Sequence, residues 1–204
     1  MARFFDYYVL GALGAFLCLA AGRAFVLQRR GVPVTTAHRG RKATERIEDA
    51  AGVACLMIRS YETVVFALPL RFHIEPDFFR TILISAIPLK IVGAALWAAA
   101  LVLYALALKA LGKFWRTDTR SDSPNQLITQ GVFTWSRNPI YMSFLLMNLG
   151  TFLLLGQLVF ALIAIVAITV LYRRIRREEE FLAATYGDAY RDYCSRVGRY
   201  MKGF

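Results

Sequence analysis

Between Asn138 and Tyr172 the chain reads NPIYMSFLLMNLGTFLLLGQLVFALIAIVAITVLY, 35 residues without a charge. A membrane-spanning helix needs about 20 apolar residues to cross about 30 Å of hydrocarbon. As one helix this stretch would run about 52 Å at 1.5 Å per residue, roughly 20 Å more than the hydrocarbon thickness and too much for modest tilt to absorb. Two short helices folded back at Gly156-Gln157 fit better. Glycine permits the turn, and glutamine tolerates the interface.

Three more apolar runs lie upstream, at about Tyr7 to Leu27, Ile47 to Leu70 and Thr81 to Leu111, giving five spans. The first is read as a span and not a cleaved leader, because its basic cluster follows it. Basic residues test the count. Arg29, Arg30, Arg39, Arg41, Lys42 and Arg46 lie between the first two runs; Lys113, Arg116, Arg120 and Arg137 precede the hairpin; seven arginines and Lys202 follow Tyr172. Five spans put all three groups on one side, whereas four would strand the basic tail outside. The positive-inside rule then sets the N-terminus outside and the C-terminus in the cytoplasm.

Composition agrees. The chain is 57% hydrophobic and 19% charged, against about 45–50% and 25% for soluble domains. That excludes intrinsic disorder and disfavours a water-soluble globule. The net charge of +11 reads as a cytoplasmic face held against anionic lipid, with no nucleic acid as partner. Cys18, Cys55 and Cys194 have no C-x-x-C spacing, so neither a disulfide framework nor a metal site is indicated. His38 and His73 read as solvated loop residues, and segment 117–125 as a polar loop. The fold class expected is an all-α polytopic membrane protein: five transmembrane helices, a C-terminal helical hairpin, and a cytoplasmic amphipathic tail helix from Arg173 to about Arg199, with Gly187-Asp188 as an interruption. Its parts are a three-helix membrane region, 1–110, and a second region, 111–204.

Motifs of soluble catalysis are absent: no G-x-G-x-x-G, P-loop, H-E-x-x-H or G-x-S-x-G occurs. The informative residues flank the hairpin. Before it stands Gly131-Val-Phe-Thr-Trp-Ser-Arg137-Asn138-Pro139-Ile-Tyr141; after it stand Arg173-Arg174-Ile-Arg-Arg-Glu178-Glu179-Glu180 and Tyr186-Gly187-Asp188-Ala-Tyr190. A hairpin brings the two strings together at the cytoplasmic surface.

In order and spacing these strings resemble the isoprenylcysteine carboxyl methyltransferase family, part of a wider group with the phospholipid methyltransferases. The resemblance covers roughly Leu111 to Arg199. It implies a multi-span enzyme using S-adenosylmethionine, with its active site at the cytosolic membrane surface, in the endoplasmic reticulum or a bacterial inner membrane. By position it implies that Arg137, Asn138, Pro139, Tyr141, Arg174, Glu178 and Glu179 line the cofactor pocket; from residue chemistry Arg174 and Glu178 are the expected catalytic pair, and Arg137, Asn138, Pro139, Tyr141 and Glu179 the expected cofactor-binding set. Asn138 stands where many relatives have histidine, so a role needing an imidazole is lost, but one using an amide hydrogen bond is kept.

The residue chemistry is compatible. Methyl transfer from a sulfonium needs a positioned nucleophile and an aligned methyl. Glutamates suit the cofactor's ammonium, and an arginine fork suits a carboxylate. A carboxylate acceptor, with a pKa near about 4, needs no general base at neutral pH. An amine acceptor would need one, and Glu178 is the candidate. The acceptor expected is a lipid or lipid-modified molecule, first a prenylcysteine-like carboxylate, with a phospholipid amine or small hydrophobic acceptor as alternative. An NADPH-dependent membrane reductase and a non-enzymatic structural protein are the rival classes.

Other residues carry plainer readings. Arg173, Arg176 and Arg177 are expected to be membrane anchors, and Glu180 a solvated counter-charge. Trp135 and Phe133 are expected at the membrane interface, and Pro139 also suits the first turn of a helix. Arg59, about 12 residues into the second run with Glu62 at i+3, is expected in a structural ion pair facing the bundle, with contact to a polar substrate group as the alternative.

Overall fold

The computed structural model describes residues 2–29, 43–68, 76–112 and 127–201. These form six α-helices: α1 (Ala2–Arg29), α2 (Ala43–Ala67), α3 (Ile87–Leu111), α4 (Pro139–Leu155), α5 (Leu158–Tyr186) and α6 (Asp188–Arg196). α1, α2, α3 and α5 are long and apolar enough to cross a membrane, and α4 is a shorter apolar helix. The chain is an integral membrane protein of all-helical fold. The expected loop at 117–125, His38, His73, and most of the basic residues expected between the first two runs lie outside the described residues.

The hairpin folds where the uncharged stretch demands it. Pro139 opens α4 in its first turn, and Gly156 closes it in the left-handed region at φ 71°. There a Cβ would lie 1.8 Å from the Ile84 carbonyl oxygen. The approach is needed because residues 81–84 latch the turn: Leu83 N–H donates to Gly156 O at 2.7 Å, and Leu158 N–H to Thr81 O at 2.9 Å. This latch also explains why the third helix starts at Ile87 and not at Thr81 as the hydropathy suggests.

α3 and α4 share the most extensive interface. Gly93 and Gly150 face each other across it, and a Cβ on either would come within 2.9 Å of the other's carbonyl oxygen. Small residues of this kind let helix backbones approach closely in a membrane, where packing replaces the hydrophobic drive. Trp97 Nε1 donates to Thr151 Oγ1 at 3.0 Å across the same interface, and Tyr8 OH donates to Ala94 O at 2.8 Å, tying α1 to α3. The core gathers Val9, Phe16, Trp97, Tyr104, Met147, Leu154 and Phe160 from α1, α3, α4 and α5. Arg59 of α2 is 3% exposed. Its guanidinium lies over the Trp97 ring, 5.5 Å from the centroid, a cation–π arrangement that partly offsets desolvation.

The expected tail helix divides in two. α5 continues unbroken past Tyr172 to Tyr186, Gly187 breaks the chain at φ 53°, and α6 follows. The interruption falls at the expected glycine, but the first half of the tail is the same rod as the membrane helix.

Candidate active site

The chemistry-bearing side chains converge where α4 begins and α5 leaves its apolar stretch. On α4 the segment before Pro139 is held from two sides. The 3-10 turn Gly131–Thr134 packs Val132 and Phe133 against Ala107 of α3. Phe133 is therefore buried and not the interface residue its sequence suggests, whereas Trp135 is 73% exposed. From the other side residues 198 and 199 lie against the loop: Arg137 N–H donates to Gly198 O at 3.1 Å, and Ser136 Oγ to Arg199 O at 3.3 Å. α6 adds Tyr193, whose hydroxyl donates to Phe133 O at 2.7 Å.

Two clusters result. In the first, Tyr141 OH donates to Glu178 Oε2 at 2.6 Å and accepts from Arg174 Nε at 3.2 Å. Arg174 and Glu178 are one turn apart on α5, so both reach the same tyrosine on α4. In the second, Glu179 is the hub. Its Oε1 accepts from Asn138 Nδ2 at 3.1 Å and pairs with Arg137 Nη2 at 3.5 Å. Its Oε2 accepts from Arg199 Nε at 2.9 Å and Nη2 at 2.8 Å. Glu179 is 8% exposed, a burial that a carboxylate tolerates when paired and hydrogen-bonded. The bond to Glu179 raises the pKa of Arg199 further. Arg137 Nη1 also donates to Cys194 Sγ.

All seven residues singled out by sequence thus lie at one end of the hairpin. Arg137, Asn138 and Glu179 are joined by direct contacts, as are Tyr141, Arg174 and Glu178; Pro139 serves as the first residue of α4. Glu180 points away, its side chain 69% exposed and 3.8 Å from Arg176. Arg173 and Arg177, expected as anchors, also reach Glu48 on α2 at 3.5 and 2.6 Å. Arg199 was missed by sequence reasoning. Nothing in its spacing distinguishes it from the other basic residues of the tail, because its position follows from hydrogen bonds of the 198–199 backbone to Ser136, Arg137 and Asn138, far away in the chain.

Residues 89–189 match the family described as phospholipid methyltransferase. The protein-S-isoprenylcysteine O-methyltransferase of Schizosaccharomyces pombe is 32% identical over 80 residues, 39% of this chain and 34% of that protein. The enzyme of the same description from Saccharomyces cerevisiae is 36% identical over 84 residues, again 39% of this chain and 34% of that protein. The matched stretch spans about a third of the length of these curated relatives. Among solved structures, a eukaryotic intramembrane Ras methyltransferase, an isoprenylcysteine carboxyl methyltransferase, is similar with a TM-score of 0.56, 18% identity, and coverage of 95% of this chain and 67% of that one. At that identity the likeness is one of fold.

Proposed function

From the match of residues 89–189 to the phospholipid methyltransferase family and the likeness to isoprenylcysteine methyltransferases, we propose that this chain transfers a methyl group from S-adenosylmethionine to a lipid or lipid-modified acceptor, first a prenylcysteine-like carboxylate. The observation that carries the reading is the joining of α4's opening segment to α5's acidic turn, Arg137 and Asn138 to Glu179 and Tyr141 to Glu178, at the single end of the hairpin where both helices turn polar.

The residues present fit the cofactor. It carries an ammonium, a carboxylate and an adenosine, and the site offers carboxylates, guanidinium groups and an aromatic ring in one place. Arg137 Nε is moreover a buried donor with no partner, a capacity for one more acceptor. The bound cofactor would supply an electrophilic methyl on sulfur. The protein's part is positioning: Tyr141 fixes the Glu178 carboxylate, and Arg174 orients an incoming carboxylate, which is already ionised at neutral pH and needs no base.

The topology belongs to the same proposal. α1, α2, α3, α4 and α5 make five spans with the N-terminus outside, so that α6 and the site lie on the cytosolic face. The division near residue 110 is supported by the site itself, since every polar group in both clusters comes from the second region.

Two measurements on the detergent-purified protein test this. Calorimetry should show binding of S-adenosylhomocysteine and none of NADPH; the reverse would favour the reductase class. Transfer of a labelled methyl to matched carboxylate and amine acceptors of equal hydrophobicity should favour the carboxylate. Arg174→Lys keeps the charge but loses the planar fork, and should bind S-adenosylhomocysteine normally while losing most transfer. Preference for the amine with Arg174→Lys unimpaired would promote the phospholipid-amine reading.

A further inference from the structure

From Arg174 toward the membrane interior, α5 carries an apolar strip that neither polar cluster uses. One edge of it is set by α2: Glu48 pairs with Arg173 and Arg177, a Cβ on Gly52 would lie 3.7 Å from a Val170 methyl, and Cys55 Sγ donates to Ile163 O at 3.7 Å. The other edge is set by α4, where Tyr141 bonds Glu178 and Arg174. Between the edges Ile163, Ala167, Val170 and Arg174 recur at helical spacing on one face. Gly52 and Cys55 are small and only half-buried, so little side chain fills the α2 edge.

At the deep end stands Arg59. The step along α2 from Glu48 to Arg59 is about 16 Å at 1.5 Å per residue, and the step along α4 from Tyr141 to Thr151, which bonds Trp97, is about 15 Å. Both rulers put Arg59 well inside the hydrocarbon, and it is 3% exposed. Its guanidinium lies over the Trp97 ring, so it reaches from α2 across to α3. Its Nη2 is buried with no hydrogen-bond partner. The indole face offsets part of the charge but supplies no oxygen to that amino group. A cation at this depth is costly and marks a functional site by default, and a buried donor without an acceptor calls for an explanation.

The strip joins this donor to Arg174, the residue given the task of orienting the acceptor's carboxylate. We propose that the acceptor's chain follows the strip from Arg174 to Arg59, and that the acceptor is a lipid carboxylate whose chain carries an oxygen, carbonyl or hydroxyl, that accepts from Arg59 Nη2. The inference rests on the methyl-transfer reading given above and narrows its substrate class. Arg59 becomes a specificity-determining residue on α2, about 15 Å along the helices from the reacting end.

The experiment uses S-alkylcysteine acceptors of equal chain length, one all-methylene and the others with a single ketone moved stepwise along the chain. Each is titrated into the detergent-purified full chain and into Arg59→Met, and transfer of a labelled methyl to each is measured in parallel. In the wild type, affinity relative to the all-methylene acceptor should peak at one ketone position by roughly 10-fold or more, the worth of a hydrogen bond to a charged donor. In Arg59→Met, which keeps an unbranched side chain and removes the charge, that relative preference should vanish. Exchanging a buried charge for an apolar side chain is commonly neutral or stabilising, and the melting temperature of the variant checks that it folds. Should it not fold, the wild-type series alone decides, peaked against flat. A flat wild-type series, or a peak that survives in Arg59→Met, would overturn the chain oxygen and leave the methyl-transfer reading standing. Transfer to none of the acceptors would overturn the methyl-transfer reading and this inference with it.

Discussion

Glu178, Glu179 and Glu180 are consecutive and chemically identical, but an α-helix turns each by about 100° from the last. The first meets Tyr141, the second two arginines and Asn138, and the third meets Arg176 at the surface. Their glutamine variants should differ accordingly. Glu179→Gln leaves the mostly buried Arg137 and the partly exposed Arg199 without a counter-charge, a loss of about 1.5–3 kcal/mol by the usual worth of a charged hydrogen bond. Thermal unfolding in detergent should record it even without ligand. Glu178→Gln should fold normally and lose transfer. Glu180→Gln should change neither, since exposed i,i+4 pairs contribute about 0.3–0.5 kcal/mol. Equal, small effects at all three would return the acidic run to a solvated face. The sequence carried the motif positions of Glu178 and Glu179 and the solvated character of Glu180. The division of labour between the first two was hidden, because it depends on Arg199, which the fold delivers from a distant segment.

At the scale of elements, the hairpin was legible because 35 uncharged residues admit few solutions, and its turn falls on the glycine named for it. The end of α5 was not, since an amphipathic pattern after a membrane helix reads the same whether a joint intervenes or not. Nor was the latch of residues 81–84 on the turn, which is a contact between segments with no pattern in common. Glycine variants test these packing claims. Gly156→Ala combines a left-handed backbone with a Cβ 1.8 Å from a carbonyl oxygen, so a loss of about 2–5 kcal/mol is expected from strain and overpacking together. Gly150→Ala meets Gly93 O and Trp97 Cδ1 at 2.9 Å and should cost about 1–3 kcal/mol. Gly11, with open space around it, is the control: its alanine variant should be neutral or mildly stabilising in a helix. Unfolding midpoints in one detergent would rank the three.

For the whole molecule, α5 joins α2 and α4 to the site. It packs on α4, meets Glu48 of α2 through Arg173 and Arg177, and holds Glu179 against the loop before α4. The ion pairs to Glu48 were invisible in a sequence where both partners look like ordinary interfacial charges. A reporter fused after Phe204 should read cytoplasmic and one inserted at Gly156 exterior; a C-terminus inaccessible from the cytoplasm would sink the proposed orientation.

The unbroken length of α5 has a mechanical consequence. Its 29 residues make a rod of about 43 Å, longer than about 30 Å of hydrocarbon, with lipid gripping one end and Arg174, Glu178 and Glu179 riding on the other. Without a joint, any tilt imposed by a thicker or thinner bilayer swings those side chains relative to Tyr141, which sits on a different helix. The Tyr141–Glu178 hydrogen bond is then expected to respond to membrane thickness. Turnover in vesicles should peak at one acyl-chain length and fall on both sides of it, so that the lipid around the protein sets its rate as well as housing it.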